Sequence, residues 1–335
     1  MKRKHDHAEF GALIALFAGA LSTGSAGILV RLAETGPTAT AFWRGCLALP
    51  LLAAWALLEP ARRDSGLEQR QLPGSVVRLL SSERRTAFRD PGFLLAGAFF
   101  AGDLALWHWS LLLTSIAAST LEASLAPIVV ILFAWLRWRE RPSTAFMGAT
   151  ALALVGMLLI VSPKFGHGGS AFLGDVLGLG TACFFAAYIL AVARLRARYG
   201  TGIVMFNSTV VFTVLLLPLA LTQKFLPDTL WGWATVAGCA FAAQVLGQGL
   251  IAYALAHLRP TFSSLGLLVQ TLGAATSACL VLGERLSAIQ IVGALVIVAG
   301  IASARSARKS APPAAPPAMA EPAAAATDSL RVLRD

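Results

Sequence analysis

Asp103 stands near the middle of an apolar stretch, Gly92–Leu113. At the centre of a membrane helix a carboxylate costs roughly 2.5–3.5 kcal/mol or more, so it must be neutral, paired, or turned toward a wet cavity. Trp107 and Ser110 follow it at i+4 and i+7 and share its helical face. That face offers an acid, an aromatic wall and a hydroxyl, a set suited to a small polar solute or to a proton. His108 projects about 140° away, at about 100° per residue, and reads as a packing or hydrogen-bonding histidine. Glu122 precedes Pro127, which removes one backbone hydrogen bond and loosens a helix, so this acid suits a gate or a second proton site. Gln244 and Gln248 are four residues apart and share a face if the segment is α-helical, and Gln270 lies mid-stretch further on. Amides contact polar solutes without burying charge; they also hold helices together, at about 0.6–2 kcal/mol each. Arg44 could snorkel, attract an anion or pair with Asp103 or Glu122, and the pair is the expectation.

These residues are set in ten apolar stretches: Phe10–Leu32, Thr38–Leu58, Gly92–Leu113, Ile116–Trp138, Ser143–Ser162, Val176–Ala193, Gly202–Thr222, Leu230–Ala256, Pro260–Gly283 and Leu286–Ala304. Each is close to the ~20 apolar residues that a helix needs to cross a hydrocarbon core of about 30 Å. Barrel strands would be about half as long and would alternate apolar with polar residues. The expected fold is an all-α polytopic membrane protein, with a lipid bilayer as its solvent.

Composition agrees: 57% of the 335 residues are hydrophobic and 13% charged. The net charge of +10 would suit a nucleic-acid binder, but its distribution excludes that reading. With the N-terminus inside, inner loops and tails hold 22 Lys and Arg, among them seven Arg between Arg62 and Arg89, and outer loops hold four. The positive-inside rule then puts both termini in the cytoplasm. The four cysteines, Cys46, Cys183, Cys239 and Cys279, lack metal-ligand spacing. No metal, phosphate-loop or nucleophile-elbow motif is present, so no cofactor is expected and the chain does not read as an enzyme. An intramembrane enzyme built from His108, Asp103 and Ser110, or a non-transporting scaffold, are the alternatives.

The chain repeats itself. At an offset of 144, Trp107–Leu111 meets Ile251–Leu255, Ser119 meets Ser263, Glu140-Arg141 meets Glu284-Arg285, and Gly156 meets Gly300. Nearer the repeat starts an offset of 163 aligns Gly11 with Gly174 and Arg31 with Arg194, which places an insertion in Glu59–Pro91. Five spans per half invert the second half in the membrane, as in many secondary transporters, whose substrate site lies at the midplane between halves. The expected organisation is a cytoplasmic N-terminus 1–9, a first five-helix repeat 10–162 with a cytoplasmic insertion 59–91, a second repeat 173–304, and an Ala/Pro-rich disordered tail 305–335.

This arrangement resembles the EamA-type drug/metabolite transporters. Leu282-Gly283-Glu284-Arg285-Leu286-Ser287, with Gly293 and Gly300 downstream, is similar to that family's second-half ending. Pro127 with Glu140 looks like its first-half counterpart, and Phe42-Trp43-Arg44 resembles its second-span arginine. The resemblance covers about residues 10–305. It implies a bacterial inner-membrane carrier that exports amino acids, drugs or related metabolites by alternating access. It also implies a central cavity bordered by the first, third, fourth, sixth, eighth and ninth spans. Asp103, Trp107, Glu122, Gln244, Gln248 and Gln270 lie on four of these and are the expected substrate contacts. The coupling partner would be a proton or a counter-solute. Thr271 stands where relatives often have proline, which would let the two halves gate differently. Solute identity and oligomeric state are not legible at this stage.

Overall fold

A computed structural model describes residues 2–59, 90–113, 123–138, 142–161, 172–283 and 287–310. Glu122, most of the insertion and residues 311–335 lie outside the described residues, while residues 305–310 of the expected tail are helical and close the last helix. Every element within them is helical. In chain order these are α1 (Lys2–Gly24), α2 (Ala26–Leu32), α3 (Pro37–Leu58), α4 (Pro91–Leu113), α5 (Ala126–Trp138), α6 (Thr144–Val161), α7 (Phe172–Arg196), α8 (Thr201–Ala220) and α9 (Leu230–Cys239). A π-helical segment, π1 (Ala240–Gln248), follows, then α10 (Gly249–Leu255), α11 (Pro260–Gly266), α12 (Val269–Leu282) and α13 (Ala288–Ser310).

Seven helical runs among the described residues are long and apolar enough to cross a membrane: 8–32, 37–58, 172–196, 201–220, 230–255, 260–281 and 288–307. Two shorter apolar helices, 126–137 and 144–160, accompany them, as does the 23-residue α4. Large apolar side chains such as Leu58, Leu136, Leu230, Leu280 and Leu295 are exposed. In water that surface would drive aggregation; against lipid tails it is at no disadvantage. The chain is a multi-pass membrane protein whose described elements are all helical.

Several of the expected stretches are interrupted among the described residues. The first bends at Ser25, between α1 and α2. Near the bend Thr23 Oγ1 donates to the Gly19 carbonyl (2.9 Å), and Ser25 Oγ to that of Ser22 (2.6 Å). Such back-bonds compete with the helical ladder and bend it. Ser22 Oγ donates across to the Ala242 carbonyl in π1 (2.6 Å). The eighth stretch passes through π1, whose i→i+5 bonds insert a wider turn between α9 and α10. The ninth breaks at Leu267-Leu268, between α11 and α12. Pro127 lies at the second position of α5, in the first turn, where its missing N–H costs little.

Packing follows from small residues as much as large ones, because lipid offers apolar surfaces no hydrophobic gain on association. α1 packs on α12, π1 and α10; α3 runs along α8; α4 lies against α7 and α8; α6 lies against α13. At the last contact a Cβ on Gly156 would fall 2.7 Å from the Gly293 carbonyl, and one on Gly300 2.7 Å from Ala153 N. Only glycine lets those backbones meet.

α3 and α8 cap each other. Glu59, just past the end of α3, accepts from the backbone N–H groups of Thr201 (2.8 Å) and Gly202 (2.6 Å) at the start of α8. Gln223, just past the end of α8, accepts from Thr38 N–H at the start of α3 (2.9 Å) and donates to Thr38 Oγ1 (3.2 Å). Each helix thus satisfies first-turn donors that the other cannot supply for itself.

Candidate solute-binding cavity

Between these helices lies a cavity of about 460 Å³. That volume is in the range of small-molecule sites, about 300–1,000 Å³. Its walls are mostly apolar, from Ile28, Phe100, Leu104, Phe185 and Ile189 among others. The break between α1 and α2 forms one side, with Thr23, Gly24 and Gly27. Gly24 is needed there, since a Cβ would lie 2.2 Å from the Gln270 carbonyl. The lining reaches exposed Arg31 and the start of α3 at Pro37.

Four of the six expected contacts meet in this cavity. Asp103 and Trp107 come from α4, Gln248 from the end of π1 and Gln270 from the start of α12. Asp103 is buried, at 8% exposure. Among the described residues it makes no hydrogen bond and has no basic partner within 4 Å. Among the described residues, Gln248 Oε1 and Gln270 Nε2 are buried without a hydrogen-bond partner. A buried polar atom without a partner is expensive, by about 1–3 kcal/mol, and calls for an explanation.

Gln244 lies elsewhere. It is fully buried behind the wall, where Oε1 accepts from Arg44 Nε (3.1 Å) and Nε2 donates to Thr209 Oγ1 (3.0 Å). The shared face read from α-helical spacing does not apply in a π-helical turn. Ser110 and His108 are also buried away from the lining, and neither Ser110 Oγ nor the His108 ring nitrogens have a partner among the described residues. Glu122 lies outside the described residues.

Arg44 is the cavity residue that the sequence reading placed differently. Of the two acids expected as its partner, Asp103 forms no ion pair with it within 4 Å, and Glu122 lies outside the described residues. Instead the guanidinium lies 5.5 Å over the Phe100 ring, which stacks on Tyr188 at 4.4 Å, and Gln244 takes only its Nε. Its Nη2 is buried without a partner, and Arg44 lines the cavity together with Asp103. The signal was an arginine deep in an apolar stretch, but which neighbour it faces depends on helix packing.

No group of three His, Cys, Asp or Glu that could hold a metal lies together among the described residues. The four cysteines are free.

The model of the EamA-like transporter family matches residues 10–162 and again 172–305. The chain belongs to this family. It is a multi-pass membrane transporter. Among curated relatives, the pseudopaline exporter CntI of Pseudomonas aeruginosa, from strains UCBPP-PA14 and PAO1, is 28% identical over 217 residues, which cover 64% of this chain and 75% of the relative. A solved structure titled only as the crystal structure of a protein superposes with a TM-score of 0.66 at 18% identity. It covers 92% of this chain and 98% of the other, a likeness of fold alone.

Proposed function

We propose that this EamA-family protein is a secondary-active exporter of small polar or amphipathic metabolites in the bacterial inner membrane, working by alternating access. It has ten spans in two inverted halves, 10–162 and 173–304, with both termini cytoplasmic, and it is not an enzyme. The observation that carries this reading is the cavity itself. A mostly apolar chamber holds a buried acid and two unpartnered amides, Asp103, Gln248 and Gln270, a combination that a passing solute would satisfy and a static scaffold would not need. The exporter relative supports the direction of transport.

Helix packing supports the two-half reading. Number the ten spans in order and exchange each with the one five places away. The contact of α1 with π1 and α10 then becomes that of α7 with α4, α1 with α12 becomes α7 with α5, and α3 with α8 and α6 with α13 map onto themselves. With the cytoplasmic termini given by the charge count, the end of the cavity at Arg31 and Pro37 faces outward.

In this reading Asp103 and Trp107 engage the solute from α4, with Gln248 and Gln270 opposite. Asp103 binds a cationic group or a coupling proton, and Glu122 is a gate-side acid. Gln244 acts through Arg44. A proton or counter-solute drives the cycle. The intramembrane-enzyme reading gains no support, because His108 and Ser110 do not share the cavity with Asp103. The test compares metabolites inside and outside cells with and without the protein, then measures flux of the accumulated solute in proteoliposomes. Asp103→Asn is expected to lower flux and flatten its dependence on an imposed pH gradient. Unchanged flux and unchanged pH dependence would remove Asp103 from the mechanism, and no protein-dependent solute at all would remove the exporter reading.

A further inference from the structure

Arg194 and Arg196 share the last turn of α7 and are used differently. Arg196 is buried and spends donors on the carbonyls of Ala252 and Tyr199. Arg194 is exposed, and so are Arg198 just beyond it, Arg137 in the last turn of α5 and Arg259 just before α11. Among the described residues none of these four guanidinium groups has an ion-pair or hydrogen-bond partner. Arg305, near the end of α13, has its Nε buried without a partner among the same residues. Two acids at this end are already taken. Glu59 accepts from the N–H groups of Thr201 and Gly202, and Asp90 accepts from Gly92 N–H and the Tyr199 hydroxyl.

The five arginines are gathered by helix packing. α11 packs on α5, α7 and α13, and α5 packs on α7. Ala126 and Val130 of α5 share one buried cluster with Ala182 and Ala186 of α7. With these helices parallel, as the ten-span order makes them, Arg137, seven residues past Val130, comes level with the last turn of α7 at about 1.5 Å per residue. The bond from Arg196 to Ala252 holds that end of α7 beside the chain that leads to Arg259. The same order brings the end of α13 to this side, which the proposed orientation puts in the cytoplasm. Like charges so gathered repel one another unless an anion lies among them. Within two turns before Arg137, α5 exposes Leu132, Phe133, Trp135 and Leu136. A ligand that suits this junction is anionic at one end and apolar at the other. Five cations exceed the single charge of one phosphate diester; a headgroup with two phosphates matches them better and spans neighbouring helix axes, about 8–10 Å apart.

We propose that the junction of α5, α7, α11 and α13 binds an anionic phospholipid with two phosphates on one headgroup, as in cardiolipin. The phosphates engage Arg137, Arg194, Arg198, Arg259 and Arg305, and the acyl chains lie along α5. Each guanidinium can hold a phosphate through two parallel hydrogen bonds. Basic pockets between transmembrane helices on the cytoplasmic side take lipid headgroups in this way. None of the five arginines lines the solute cavity, so this is a separate site. It rests on the ten-span order of the proposed reading and not on what is transported.

The test is thermal stabilisation of the purified full chain in detergent, because a ligand that binds the folded state raises its melting temperature. The probes are cardiolipin, phosphatidylglycerol, phosphatidylethanolamine and inorganic pyrophosphate, compared at equal total phosphate. Cardiolipin is expected to stabilise the protein at concentrations about five-fold or more below phosphatidylglycerol, with no effect of the other two. Arg137→Gln with Arg259→Gln removes most of that preference. Arg194→Gln with Arg198→Gln, made as a second variant, does the same, so the test survives if one pair fails to fold. Lys224→Gln, which removes an exposed cation at the opposite end, leaves the preference intact. Equal stabilisation by the two anionic lipids reduces the junction to diffuse surface charge and overturns the site. An undiminished preference in both arginine pairs overturns it as well, and pyrophosphate acting as well as cardiolipin replaces the lipid with a free phosphate. A chain that exports no solute but keeps the cardiolipin preference loses the exporter reading and retains this site.

Discussion

The two ends of the helix bundle are built differently. At the end near Arg31, exposed loops clasp each other. Gly36 N–H donates to the Lys224 carbonyl (2.9 Å), Glu34 accepts from the N–H groups of Asp228 (2.8 Å) and Thr229 (3.0 Å) and from the Thr229 hydroxyl, and Trp43 Nε1 donates to the Phe225 carbonyl (2.8 Å). At the opposite end the contacts are buried. Arg196, at 4% exposure, donates to the Ala252 carbonyl (3.0 Å) and to that of Tyr199, and the Tyr199 hydroxyl donates to Asp90 (3.1 Å). Leu195, Leu255 and Leu258, close to them in the chain, are buried in the core. The cavity reaches toward the clasped end and none of these buried residues lines it. Solvated hydrogen bonds exchange with water at little net cost, whereas a buried charge that ties the turn after α7 to a carbonyl on α10 costs more to open. In the proposed alternating-access cycle, Arg196 is the group whose buried contacts must break for this end to open.

That contrast sets the order of expected effects. The largest is at the sealed end. Arg196→Gln leaves the carbonyls of Ala252 and Tyr199 short of a charged donor, each worth about 1.5–3 kcal/mol. A cysteine placed at Ala252 should become reactive to a membrane-impermeant thiol reagent from that side, with flux down about ten-fold or more. Full protection of the cysteine in the variant would show that Arg196 is not the seal. Next comes Glu59→Ala, which strips two first-turn N–H groups of α8 of their acceptor and should lower stability by about 0.5–2 kcal/mol, read as a fall in melting temperature. Tyr199→Phe removes one hydroxyl bond to Asp90 and should cost about 1 kcal/mol, enough to raise thiol reactivity at position 252 without abolishing flux.

The smallest effect belongs to the clasp. The Thr229 hydroxyl, then the backbone of Thr229 and Asp228 and the charge of Lys224, hold the Glu34 carboxyl below the usual carboxylate range. A lowered value in the folded state means that the clasp contributes fully above the ordinary carboxylate value, near pH 4.3, and weakens as pH falls through the lower folded value. Thermal scans from pH 6 down to 3 should show a modest loss of stability in the wild type that Glu34→Gln lacks. An identical acid limb in both would mean that the clasp carries no weight.

The membrane architecture was legible because hydrophobic length is a property of each segment alone. Every expected span with described residues contains helix, and of the three α4 residues first assigned to one face, Asp103 and Trp107 reach one chamber and Ser110 does not. What was not legible depends on partners. The bend at Ser25 is anchored on Ala242, more than two hundred residues away. Gln244 and Gln248 were paired by an α-helical period that π1 does not follow. Arg44 was expected to pair with Asp103 or Glu122, but its hydrogen bond among the described residues goes to an amide on another helix. Spacing within a helix is written locally; the distance between two helices is not.

The reciprocal caps of α3 and α8 also bear on how the chain is made. Glu59 precedes the residues it caps by 142 positions, so the start of α8 meets its acceptor already synthesised. Gln223 follows Thr38 by 185, so the start of α3 waits with an open donor until more than half the chain has emerged. An N-terminal half produced alone would keep that vacancy permanently. Co-expressed halves cut within residues 162–171 should each recover the missing cap only from the other, which makes assembly of the two pieces, rather than insertion of either, the step on which a split protein depends.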